Sequence, residues 1–510
     1  MKLHEWQVKC LENWENNGFK GIVNAVTGSG KTFLALSAIQ RLENTLNQKL
    51  CVKIVVPQTF LAGQWKAEIR RYFGVKASEI GIYCGARKEV GRKYTIYVIN
   101  SARYNIARHI LSDINSGNAV FLIADECHHY GSTENNRIFD FYGAMASDAQ
   151  YYSMGLSATP EIVNFKSISV PLGKEIYCYG LGDALRDKVI SRFMLFSVGL
   201  EFTPCEREEY SGLSERLASN LAALKRMCPE LSGMQSGSFF TSLSSLAQQN
   251  NDVSTLARNT LMLSFSRRSV CHMASKRPKC AVTIVRALPK HVRIILFCER
   301  IETAQMLWNS LSEEYPRQVG LYHSEMSDNS RQDILQQYEH GTLRMLVCCK
   351  ALDEGLNIPS TDVGIVVSTS MSARQRIQRI GRILRISKEI KRIYFLYIRD
   401  SNEDRESLLN MHTFEYDVPV IALRSYGTVF VNSEYTRLRE KVISYVEERC
   451  KNNNLIEILN DNLDLVLLRG DFLQPESVCL SKIHSAQITA ERNYWVAVLY
   501  IIHARIGKLD

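Results

Sequence analysis

The sequence predicts an α/β protein built on two parallel sheets, with a helical insert between them and a mainly helical tail behind. Three observations carry that expectation. Residues 21–26, 52–56, 95–99 and 120–124 are short β-branched runs separated by stretches of helical period, the alternation that builds a parallel sheet covered by helices. The same rhythm returns at 293–298, 318–322, 344–348, 363–367 and 392–398. Between the two blocks Tyr210, Leu213, Leu217, Leu221 and Leu224 recur at helical spacing.

Length and composition agree. The chain has 510 residues, 45% apolar and 23% charged, which excludes a disordered, collagenous or disulfide-framework protein. No apolar run approaches the ~20 residues of a membrane span, and the opening residues lack the apolar core of a signal peptide, so a cytoplasmic protein with no membrane partner is expected. The 14 cysteines show no zinc-type spacing. Net charge is +9, but residues 267–293 hold eight Lys/Arg and no acid, and residues 371–392 hold eight against Glu389 alone. Such single-sign concentration suits a phosphate-rich partner, although a basic run also forms a plain solvated surface.

The expected order is a first α/β domain at 1–205, the insert at 206–290, a second α/β domain at 291–402 and an accessory tail at 403–510. Nine of the 14 residues at 232–245 are Ser, Gly or Thr, which predicts a mobile loop inside the insert, with Phe239 and Phe240 as a stacking wedge or as loop anchors. In the tail Tyr435, Leu438, Val442 and Val446 mark an amphipathic helix.

The first strand runs into Ala25-Val-Thr27-Gly28-Ser29-Gly30-Lys31-Thr32 and then a helix. Strand, glycine loop and helix in that order cradle phosphates: the glycines admit backbone N–H groups, Lys31 neutralises the β and γ phosphates, and Thr32 ligates Mg²⁺. Ala25 stands where the full pattern begins with Gly. The run Phe121-Leu-Ile-Ala124 ends in Asp125-Glu126-Cys-His128, placing one acid to hold a nucleotide's Mg²⁺ and a second to polarise the attacking water. Ser157-Ala-Thr159 follows another short run, a plain turn or a relay between nucleotide and nucleic acid. In the second block, Gln378-Arg-Ile-Gly-Arg382-Ile-Leu-Arg385 opens a basic helix with Arg382 and Arg385 three apart, on one face.

This ordered series resembles a superfamily 2 helicase over roughly residues 3–400. It is most similar to the DEAD/DEAH-like branch that contains XPB-type repair helicases and the motor subunits of type III restriction enzymes. The resemblance implies two RecA-like lobes with ATP and Mg²⁺ between them. It implies that Gln7, in Leu3-His4-Glu-Trp6-Gln7, reads adenine, that Gly355 lies in a nucleotide-contacting segment, and that Gln378, Arg382 and Arg385 act beside Glu126 in hydrolysis. It further implies a nucleic-acid path touched by Pro57, Thr59, Asn100, Ser101 and Cys349, to which the basic segment adds Arg267 and Arg268. Cys349 replaces the family's usual Thr and Asn357 its usual Asp.

The function expected is an ATP-dependent motor that translocates on or unwinds DNA, more than RNA, in repair, restriction or phage defence, with a separate nuclease or specificity subunit as partner. The alternative is an ATP-gated clamp or sensor that recruits a partner through its tail without strand separation.

Overall fold

The computed structural model describes residues 2–47, 49–158, 165–234, 236–249, 252–349, 361–368, 390–404, 418–450 and 452–509. Gly355, Asn357, Gln378, Arg382, Arg385 and Thr159 lie outside the described residues. The described chain forms two compact units, one ending at Arg192 and the next opening at Phe193.

In the first unit β1 (Lys20–Ala25), β2 (Leu50–Val56), β3 (Ile80–Cys84), β4 (Arg87–Lys88), β5 (Tyr94–Val98), β6 (Ala119–Ala124), β7 (Tyr151–Ser157) and β8 (Glu175–Tyr179) make one sheet in the order β4-β3-β5-β2-β6-β7-β1-β8. Every pairing but β3–β4 is parallel. All residues of β2 and β6 are buried, as strands covered on both faces must be. Lys53 of β2 is buried to 1% exposure and answered by Asp113 at 2.5 Å. The charged pair β4 closes one edge, which guards it against further strand addition.

The second unit holds β9 (Phe193–Leu200), β10 (Ile294–Cys298), β11 (Val319–Tyr322), β12 (Met345–Cys349), β13 (Val363–Val366), β14 (Lys391–Ile398), β15 (Val420–Tyr426) and β16 (Val429–Val431), in the order β11-β12-β10-β13-β14-β9-β15-β16. This again is parallel except for the last hairpin. The fold is therefore the expected α/β architecture: two parallel-dominated RecA-like sheets, a helical insert and a mainly helical C-terminal region.

The expected boundaries shift for physical reasons. Strand β9, placed in the first domain by the boundary at 205, pairs along its full length with β14 and so belongs to the second sheet. Helix Lys276–Ala287, placed in the insert, buries Cys280, Ala281, Ile284 and Val285 in the same core as the strands of the second sheet. Residues 403–510 are not a separate accessory body either, because β15 extends the sheet beside β9 and helices Asn453–Arg469 and Thr489–Arg505 share its core. Arg392 of β14 donates to the Arg469 carbonyl at 2.8 Å and to Asp471 at 2.6 Å, Tyr494 donates to Asp471 at 2.6 Å, and Tyr394 donates to the Leu468 carbonyl at 2.7 Å.

The insert holds helices Pro204–Met227, Ser236–Ala247 and Asp252–Met273. Thr203 and Glu206 form a capping box at the start of the first, with Pro204 at its opening position. The Ser/Gly-rich stretch expected to be a mobile loop is instead the helix Ser236–Ala247, because Leu243 and Phe239 join Leu224, Leu231 and Ala257 in a small core. Tertiary burial here overrides weak helix propensity.

Candidate nucleotide site and nucleic-acid face

Except for Gln7, on the opening helix Glu5–Asn16, the candidate residues of the first unit follow the carboxyl ends of its parallel strands, the edge where open α/β sheets bind ligands. Beyond β1, Gly28 (φ 87°) and Gly30 (φ 94°) take left-handed conformations and form the phosphate loop, and Gly30 caps helix Lys31–Thr45. A Cβ on Gly30 would stand 2.9 Å from the Gln7 amide nitrogen, so the Gln7 side chain would have to shift, and the left-handed φ by itself favours glycine. That amide donates to the Gly30 carbonyl at 3.0 Å, while the His4 N–H donates to Gln7 Oε1 at 2.9 Å. Gln7 is thus buried against the loop. Ser29 donates to the Val26 carbonyl at 2.7 Å, and Lys31 Nζ to the Ala25 carbonyl at 2.8 Å. Thr27 and Thr32 are half-buried and Gly28 is exposed.

Asp125 follows β6. Trp65, on helix Thr59–Phe73, donates its indole N–H to Asp125 Oδ2 at 2.8 Å, and the Glu126 N–H donates to Oδ1 at 3.1 Å. Burial pushes the Asp125 carboxyl up to about 6, the Glu126 charge adds to this, and the Trp65 hydrogen bond and Lys31 oppose it. Glu126 sits at φ 47°, a strained conformation for a non-glycine residue. Its Oε2 is buried with no hydrogen-bond partner among the described residues and lies 3.6 Å from His128 Nδ1. His128 in turn meets the Ser157 hydroxyl at 3.2 Å at the end of β7. Sequence reasoning gave no role to Trp65 or His128. The spacing of His128 two residues after Glu126 was visible, whereas nothing in the sequence marks Trp65.

The site brings Gln7, the 27–32 loop, Asp125 and Glu126 to one end of one sheet. Two adjacent acids, one raised by burial and one with an unsatisfied oxygen, beside a lysine and a left-handed glycine loop, fit a nucleoside triphosphate with a divalent cation.

The nucleic-acid candidates are more dispersed. Pro57 is buried at the end of β2, and Thr59, exposed, starts the following helix. Beyond β5, Asn100 is exposed and accepts from Arg103, and the Ser101 hydroxyl accepts the Gly85 N–H at 3.1 Å. In the second unit Cys349 is 2% exposed, its thiol in the core. The basic segment is not one uniform stripe. Arg267 lies over the Tyr210 ring at 5.8 Å, Arg286 pairs with Glu314 at 2.8 Å, and Arg277 is fully buried, donating to Val367, Leu396 and Cys271 carbonyls and to Glu403. Arg268 is exposed.

A phosphate loop with an acid pair on one RecA-like sheet, and a second RecA-like sheet later in the same chain, define an ATPase of the helicase kind. The comparisons agree. Residues 1–162 match the family described as type III restriction enzyme, res subunit, and residues 278–387 the helicase conserved C-terminal domain. The chain is 27% identical to the DNA 3'-5' translocase XPB2 of Sulfurisphaera tokodaii over 383 residues, 74% of this chain and 77% of that one. It is 29% identical over 181 residues to the putative DNA 3'-5' helicase Rad25 of Haloarcula marismortui, covering 34% of this chain and 26% of that protein. Among solved structures the DEAD-box helicase Mss116 bound to ssRNA and UDP-BeF superposes with a TM-score of 0.54 at 14% identity, covering 99% of this chain and 86% of that one, a likeness of fold. The chain is an ATP-hydrolysing superfamily 2 helicase of the DEAD/DEAH-like branch, resembling XPB and type III restriction subunits. Among the described residues no helix is long and apolar enough to cross a membrane.

Proposed function

We propose that this helicase is a DNA-stimulated ATPase that moves along one strand in the 3'-to-5' sense, working in repair, restriction or phage defence beside a separate nuclease or specificity subunit. The observation that carries the reading is the Asp125–Glu126 pair facing the glycine loop, one carboxyl raised by burial and the other held strained with an unpartnered oxygen. The names of the archaeal relatives support DNA as the track and its polarity, and the restriction-type match over residues 1–162 supports a partner subunit.

In this reading Thr32 and Asp125 would hold Mg²⁺, which would supply neutralisation of the charge on the β and γ phosphates. Lys31 leaves the Ala25 carbonyl for the phosphates, and Thr27, Gly28, Ser29 and Gly30 present backbone N–H groups to them. Gln7 positions the base, with Gly355 also assigned to the nucleotide. Glu126 Oε2 accepts the proton of the attacking water, and its lack of a hydrogen-bond partner leaves it available for that task. Gln378, Arg382 and Arg385 complete the set on their sequence pattern alone. Pro57, Thr59, Asn100, Ser101, Arg267 and Arg268 line the strand. Cys349 reaches it only through its backbone, since its thiol is buried.

The tail-recruiting clamp loses its simplest form, because the C-terminal region is part of the second sheet and its core. The test of the proposed function is translocation on single strands with a blocked 3' or 5' end. Movement sensitive to strand polarity supports it, and ATP-dependent binding without movement would replace it with the clamp.

A further inference from the structure

The exposed ring of Tyr104 is the feature the nucleotide chemistry leaves unexplained. Large aromatic side chains at a surface usually bury much of their area, yet Tyr104 is 63% exposed. It does not dangle. The Arg103 and Arg137 guanidinium groups lie 5.9 and 5.8 Å from its ring centre, and its hydroxyl donates to Glu134 at 3.4 Å. Glu134 also meets both arginines at 3.8 Å, and Arg103 donates back to the Asn100 side-chain oxygen Oδ1. Two cations against one carboxylate leave this cluster a net positive charge while fixing the ring's orientation.

Its place in the fold gives the ring a partner. β5 ends at Val98 and turns at once into helix Ile99–Ala102, so Tyr104 stands at the carboxyl edge of the sheet that also carries Lys31, Asp125 and Ser157. In the order β5-β2-β6-β7-β1, with strands about 4.8 Å apart, β5 lies about 10 Å from β6 and roughly 19 Å from β1. The ring therefore shares the ligand-binding edge but stands outside the phosphate loop, beyond the segment at Pro57 and Thr59 that follows β2.

We infer that Tyr104 is a base-stacking platform: an unpaired nucleobase stacks on the exposed part of its ring while Arg103 and Arg137 turn to the flanking phosphates. An aromatic ring held open between arginines matches both the π-face and the backbone charge of a single strand, and is indifferent to base identity. DNA and RNA offer the same chemistry here, and the test separates them. The inference rests on the proposed nucleic-acid function and narrows it to one residue.

The experiment uses the full chain with single-stranded DNA and RNA carrying 2-aminopurine scanned along the strand, in wild type, Tyr104→Ala and Tyr104→Phe. One 2-aminopurine position is expected to change its fluorescence through stacking on binding. Tyr104→Ala should abolish that change and weaken binding by roughly 5- to 150-fold, Tyr104→Phe should restore both, and an abasic nucleotide at that position should erase the difference between variants. An unchanged melting temperature shows that the exposed ring has no structural task. Equal binding and equal fluorescence in wild type and Tyr104→Ala would overturn the inference while leaving the helicase function standing. A wild-type protein that binds neither strand would overturn both.

Discussion

Removing Asp471 should destabilise the second unit out of proportion to a change in its C-terminal region. The Asp471 carboxylate is 3% exposed and accepts from Arg392 at 2.6 Å, Tyr494 at 2.6 Å and Gln474 at 2.5 Å. In Asp471→Ala, Arg392 on β14 keeps only the Arg469 carbonyl among these partners and becomes an uncompensated buried cation. Breaking one side of a buried pair costs about 3–5 kcal/mol. Folded domains hold only about 5–15 kcal/mol in total. At about 2–4 °C per kcal/mol for a unit of this size, the midpoint should fall by roughly 6–20 °C. Thermal and urea unfolding give the number. Replacing the pair with apolar groups in Arg392→Met/Asp471→Leu should recover most of the loss, because the cost comes from the stranded charge. A single variant within about 1 kcal/mol of wild type would refute the claim that the C-terminal helices are built into the second sheet through this contact.

Four further outcomes follow from the candidate residues. Because burial raises Asp125 to about 6, its neutral form is favoured below that pH; Mg²⁺ needs the carboxylate, so Mg-nucleotide affinity should fall about tenfold per pH unit below 6 and release about one proton there, by calorimetry in buffers of different ionisation heat. By the same sign, the metal-free protein gains stability from this group as pH falls from above 6 towards 4, since the folded state binds the proton more tightly. Gly30→Ala places a Cβ 2.9 Å from Gln7 at φ 94° and should weaken a fluorescent ATP analogue by roughly tenfold or more, at about 1–2 kcal/mol of backbone strain. Arg268→Glu should weaken DNA binding and flatten its salt dependence by about one unit of slope, whereas Arg267→Glu should also lower stability by losing its contact with Tyr210.

Much of the fold was legible because buried parallel strands read as apolar runs. Expected strands at 52–56, 120–124, 293–298 and 392–398 appear as Leu50–Val56, Ala119–Ala124, Ile294–Cys298 and Lys391–Ile398. What failed depended on the partner, which a local reading cannot see. Phe193–Leu200 is an apolar run that could close the first domain or open the second, and only its pairing with β14 decides. Val420–Tyr426 alternates between exposed and buried residues, the pattern of a half-covered strand, in a stretch that otherwise reads as helix and loop. Helix Ser236–Ala247 defies its composition because the insert's small core holds it. At the site, the glycine loop and the acid pair carry their chemistry in their spacing. The Trp65–Asp125 and His128–Ser157 contacts join residues 60 and 29 positions apart and could come only from the folded sheet.

The proposed function couples hydrolysis to a nucleic-acid track. Its most direct test is steady-state ATP hydrolysis by the purified chain with no nucleic acid, single-stranded DNA, duplex DNA and single-stranded RNA, beside Glu126→Gln. Strong stimulation by a DNA form, lost in Glu126→Gln, is the predicted result. A rate unchanged by every nucleic acid, or a Glu126→Gln protein as active as wild type, would contradict it.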